Sequence, residues 1–181
     1  MVERLQISGI IFVALLCSHC VSADKKIYNL AASFGFENRL VRGTQFDHVV
    51  FYHRLGSLSA VDSLHIYIEG DGRPFDTPTS VSGDPTPLEP LALKLMAKDP
   101  MPGVYLGRPC YFGHSRSNEC QSRYWSSHRY AQEVVDSMAT ALSYFLGDAQ
   151  RKRLVFIGYS GGAPLAMLLA TRFNSTRAVI T

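Results

Sequence analysis

The sequence predicts an α/β fold: a mainly parallel sheet with helices on both faces, incomplete at its C-terminal end. Three observations predict it. From Leu64 onward, apolar strand-like runs alternate with stretches of helical periodicity, and such alternation implies parallel strands joined by crossover helices. Ahead of them, Leu40-Val41 and Val49-Val50-Phe51-Tyr52 are separated by a short polar link around Gly43, as in an antiparallel edge. Near the end, Leu154 to Ile157 is continuously apolar, which suits a parallel strand buried on both faces.

The elements follow in order. Leu64-His65-Ile66-Tyr67-Ile68 reads as a strand that stops at Glu69-Gly70-Asp71-Gly72-Arg73-Pro74, a turn-rich loop. A long polar loop leads to Thr86-Pro87-Leu88-Glu89, a capping box with proline at the first helical position. Leu88, Leu91, Ala92 and Leu95 then recur at helical spacing, and Asp99-Pro100 with Pro102-Gly103 ends that helix. Val104-Tyr105-Leu106 is a short buried strand running into Gly107-Arg108-Pro109-Cys110. Ser126-Ser127 is placed to cap a long helix with Ala131, Val134, Val135, Met138, Leu142 and Phe145 on one face. Gly147 suits its left-handed end. After Ser160 comes a helix carrying Leu165, Leu168, Leu169 and Ala170, and Ala178-Val179-Ile180 begins another strand.

The 181 residues suffice for one domain with a sizeable core, and 46% hydrophobic with 18% charged residues is an ordinary globular balance. A net charge of +3 without a long basic run gives no reason to expect nucleic acid or an anionic membrane as partner. The N-terminus has the layout of a secretory signal peptide over residues 1–23: a short polar lead with Arg4, an apolar run from Ile7 to Cys17, and small residues at Val21-Ser22-Ala23. The expectation is a secreted or periplasmic domain, residues 24–181, with no stable membrane anchor. Cys17 and Cys20 open a competing lipoprotein reading, which Leu16 and His19 disfavour. Export leaves Cys110 and Cys120, an even number in an oxidising compartment, and a disulfide is the first reading. A metal site on Cys110, His114 and Cys120 competes with it, but three ligands without a CxxC pair make a poor one, and no metal is expected.

The chemistry centres on Gly158-Tyr159-Ser160-Gly161-Gly162, between an apolar strand and a helix. A serine held at a sharp strand-to-helix turn projects its hydroxyl above the sheet. Small residues at Gly158 and Gly162 let strand and helix approach. This is the nucleophile elbow, with Ser160 as candidate nucleophile. A tetrahedral oxyanion then needs donors. The Gly161 amide is adjacent, and the Asp71 amide, with Gly72 as second choice, comes from the loop after an earlier strand. A glycine-rich turn with an exposed serine is the plain alternative.

Taken together, Glu69-Gly70-Asp71-Gly72, Asp84-Pro85-Thr86-Pro87, Arg108-Pro109-Cys110, Cys120, Trp125 and the GYSGG stretch resemble the N-terminal part of the α/β-hydrolase superfamily. More narrowly, they are similar to exported bacterial α/β-hydrolases, and the resemblance covers most of residues 27–181. It implies a serine hydrolase acting on small-molecule esters, with no cofactor. In that superfamily an acid and then a histidine follow the serine, whereas Gly161 to Thr181 contains no His, Asp or Glu. Of the upstream histidines, His48, His53 and His65 read as sheet or surface residues, and His114 or His128 could approach the sheet's upper face. The expectation is therefore a C-terminally truncated hydrolase, inactive or nearly so. The alternative is a non-catalytic exported binding protein of the same fold.

Overall fold

The computed structural model describes residues 22–181. The expected leader, with Cys17 and Cys20, falls almost wholly outside the described residues. Eight strands and four α-helices follow in chain order: α1 (Ala23–Ser33), β1 (Glu37–Arg42), β2 (Asp47–His53), β3 (Ser63–Ile68), β4 (Phe75–Thr77), β5 (Ser80–Val81), α2 (Leu91–Met96), β6 (Gly103–Leu106), α3 (Gln132–Leu146), β7 (Arg153–Gly158), α4 (Gly162–Ala170) and β8 (Thr176–Ile180). Six strands form one sheet in the order β1-β2-β6-β3-β7-β8. β1, β2 and β6 pair antiparallel, and β6, β3, β7 and β8 run parallel. The mainly parallel sheet with an antiparallel edge is thus present as the sequence implied.

Helices cover both faces. Tyr52 of β2 meets Phe145 of α3, and His48 on the same face of β2 bonds Ser137 of α3. Phe51, pointing the other way, meets Tyr28 of α1. Met96 of α2 lies on that second face beside Gly103 and His53. α4 packs on the α3 side. The core runs through the sheet: Leu64, Ile66 and Ile68 of β3, Val104 to Leu106 of β6, and Leu154 and Phe156 of β7 are all fully buried. Burial of each of these Val, Leu, Ile and Phe side chains stabilises by about 1.5–3 kcal/mol.

Several local expectations change. α1 was not apparent in the sequence, because its buried face is only Ile27 and Ala31. The long polar loop contains the β4–β5 hairpin. The capping box at Thr86 and Glu89 does not form; α2 begins at Leu91, after Pro90. Pro90 has no amide for the first intrahelical bond and disfavours a helical Glu89. The Thr86 hydroxyl instead accepts the Phe112 amide at 2.7 Å. The Ser126-Ser127 cap is also absent. Ser126 Oγ donates back to the Ser122 carbonyl, Ser127 pairs with His128, and α3 starts at Gln132. Gly147 does end α3 with a positive φ of 50°, but its ψ of −125° lies outside the left-handed helical region. Of the apolar residues expected on α4, Leu165 and Leu169 are buried and Leu168 faces out.

Candidate active site

The elbow is built by sterics. Ser160 has a φ of +51°, a conformation rare for a residue with a Cβ. Backbone bonds enforce it. The Tyr159 amide donates to Ile68 at 3.1 Å, tying the end of β7 to β3. The Gly162 amide donates to Tyr159 at 2.7 Å and the Ala163 amide to Ser160 at 3.0 Å, which starts α4 at once. A Cβ on Gly158 would sit 2.4 Å from the Gly162 carbonyl, and one on Gly162 would sit 2.3 Å from that of Ile68. Neither position has room for a side chain. Ser160 itself is exposed.

Glu69 to Gly72 lie directly across from it. A Cβ on Gly70 would be 3.3 Å from that of Ser160. Gly72 has a φ of +66°, and its Cα is pressed against the Pro85 carbonyl so closely that a Cβ would lie at 2.2 Å. Among the described residues the amides of Asp71, Gly72 and Gly161 have no protein acceptor. The Tyr111 hydroxyl donates to the Asp71 carbonyl at 2.8 Å. In a trans peptide this turns the Gly72 N–H the opposite way. Gly72, Asp71 and Ser160 line one open cavity of about 300 Å³ with Glu69, Pro87 and Tyr159. The structure therefore brings Ser160, Gly161, Asp71 and Gly72 together.

Both carboxylates of the loop are already engaged. Glu69 is buried, and its two oxygens accept the amides of Gly70 (3.1 Å) and Ala92 (2.9 Å), so it caps α2 from outside the helix. Burial raises its pKa above the ordinary carboxylate range, against the pull of those amides and of Arg108. The Asp71 carboxylate lies flat against Gly161, where a Cβ would be 2.1 Å from Oδ1. Arg108, 2% exposed, donates to Oδ1 at 2.6 Å. Arg129 Nε stands 3.3 Å from Oδ2, but its N–H is not aimed at that oxygen, so it supplies charge rather than a directed bond. The Tyr130 hydroxyl reaches Oδ1 at 3.4 Å. Arg108, Tyr111 and Arg129 carried no role in the sequence. A basic residue just after a buried strand, before Pro109, was the one sign available.

Cys110 and Cys120 are joined, with Cα atoms 5.6 Å apart, which occupies both sulfurs the metal reading needed. Among the described residues no group of three His, Cys, Asp or Glu side chains could hold a metal ion, and no histidine lines the Ser160 cavity. His48 is fully buried between the Gly107 carbonyl and Ser137 Oγ, both at 2.9 Å. Desolvation lowers its pKa to about 4, so its ring is neutral. His65 pairs with Asp99 at 2.5 Å near the N-terminal ends of the parallel strands, away from Ser160. His128 is exposed beside Ser127, and His114 stays in the disulfide loop.

No protein-family model matches the chain. No curated protein matches it either. Among solved structures it is similar to a membrane phospholipase A described as a bacterial virulence factor, at 16% identity over 86% of this chain and 42% of that one, with a TM-score of 0.49. It is also similar to an acylaminoacyl peptidase bound to a chloromethyl ketone, at 16% identity over 80% of this chain and 22% of that one, TM-score 0.48. A third is an acylaminoacyl peptidase from Pyrococcus horikoshii, at 14% identity over 81% and 22%, TM-score 0.47. The chain spans less than half the length of each. The α/β assignment rests on the strand order and register themselves.

Proposed function

We propose that this chain carries the nucleophile and oxyanion half of an exported serine hydrolase of the α/β-hydrolase superfamily, directed at small-molecule esters. The observation that carries the reading is Ser160, held at a φ of +51° between β7 and α4 by two glycines that have no room for a side chain. Such strain persists where its surroundings over-determine it, and it clusters at active sites. In this reading Ser160 Oγ forms the bond to the acyl carbon. The carbonyl electron pair moves to the oxygen, which the amides of Gly161 and of Asp71 or Gly72 receive. The serine proton must leave to a base. Among the described residues the cavity's carboxylates are Glu69, Asp71 and Glu89, and all three are committed elsewhere, Glu89 to Lys94. A serine without a base is a weak nucleophile, so slow acylation and very low turnover are expected of these residues alone.

The test is covalent labelling with a fluorophosphonate, located by mass spectrometry, beside Ser160→Ala. Labelling of Ser160 supports the reading, and labelling that survives the substitution overturns it. Robust turnover of p-nitrophenyl acetate that disappears in the variant would sink the expectation of low activity. That no histidine among the described residues lines the cavity favours a second reading, an exported binding protein that keeps the fold without catalysis. It predicts no labelling at all.

A further inference from the structure

We propose that Arg108 and Arg129 act as positioning residues that neutralise the Asp71 carboxylate, so that Asp71 can help bind an oxyanion without its own charge opposing it. This rests on the nucleophile reading of Ser160. The difficulty it addresses is electrostatic. The Asp71 carboxylate touches Gly161, the residue whose amide is the first oxyanion donor, so closely that a Cβ there would be 2.1 Å from Oδ1. A tetrahedral intermediate would place a second negative charge within a residue's width of it. Two like charges that close in a partly desolvated site repel strongly.

Two cations face that carboxylate, Arg108 at 2.6 Å and Arg129 at 3.3 Å. The trio carries a net charge of about +1, because both arginines remain protonated. Their donor capacity is not used up, since Arg108 Nη2 is buried without a partner and Arg129 Nε is not aimed at an acceptor. Arg108 also lies with its guanidinium 5.2 Å from the Tyr111 ring centre, and Tyr111 in turn holds the Asp71 carbonyl. One short segment, Arg108 to Tyr111, thus fixes both the charge and the peptide plane of the loop.

The experiment is the rate of Ser160 labelling by a fluorophosphonate in the 181-residue chain, measured for the natural sequence, Arg108→Gln, Arg129→Gln, Asp71→Asn and the pairs with Asp71→Asn, each with its thermal midpoint. Loss of Arg108 should slow labelling by at least about tenfold where Asp71 is present, and by less than about threefold in the D71N background. Arg108→Lys, which keeps the charge, should recover most of the rate. If Arg108→Gln unfolds, Arg129→Gln carries the same comparison, with a smaller effect in the same direction. Equal slowing with and without Asp71, or none in either, overturns the proposal while Ser160 stays a nucleophile. No labelling of the natural sequence overturns the nucleophile reading, and this proposal with it.

Discussion

At the residue scale, two positions are constrained in ways that can be measured. Gly161 is a glycine because Asp71 occupies the space its Cβ would need. Gly161→Ala should destabilise the chain by about 1–3 kcal/mol through overpacking, and urea unfolding would report it. Measured in an Asp71→Ala background, which by itself strips buried Arg108 of its counter-ion, the added cost of Gly161→Ala should be smaller. His48 is buried neutral with a pKa lowered to about 4 by desolvation. Its folded value lies below the unfolded one, so its contribution is complete above about pH 6.5 and is lost as the pH falls toward 4. The loss amounts to about 3 kcal/mol. Urea titrations at pH 7 and pH 4.5 would check this: stability should fall more for the natural chain than for His48→Gln, and equal slopes would refute it.

At the element scale, the junctions depend on contacts between distant stretches. Glu69 ends β3 and caps α2, although its partner Ala92 is 23 residues away. Glu69→Ala leaves the Gly70 and Ala92 amides without acceptors, at a cost of about 2 kcal/mol. Hydrogen exchange should show faster opening across Leu91–Met96, and unchanged protection there would count against the cap. The disulfide closes a loop with a sequence separation of 10. Chain-entropy reasoning gives about 3 kcal/mol for a loop of that size, to be read as the difference in urea midpoint with and without reductant. The elbow was legible in the sequence because its steric demand is confined to Gly158–Gly162. The loop Glu69–Gly72 was legible because it directly follows an apolar strand. The Asp71–Arg108 pair was not, since the partners are 37 residues apart and meet only through the β3–β6 register. The capping box misled because Pro90, visible in the sequence, removes the amide that a helix from Thr86 requires.

At the scale of the whole molecule, the strands of the six-stranded sheet and their alternation with α2, α3 and α4 were readable, because burial leaves continuous apolar runs in β6 and β7. The strand order was not, because it is set by long-range pairing. Packing is also uneven. Ile66 is fully buried, whereas Ile180 on the outer strand β8 is 54% exposed. Ile66→Ala should therefore cost about 2–5 kcal/mol, and Ile180→Ala no more than about 0.5 kcal/mol, a contrast that thermal or urea unfolding resolves. The register has a kinetic side. β3 sits at the centre of the sheet, but one of its neighbours is β7, where Ser63 pairs with Arg153. Closing so long a loop is entropically expensive and slow. The Tyr159 amide bonds Ile68 across that pairing, so the turn at Ser160 is completed only when β7 docks on β3, and its formation during refolding would time that step.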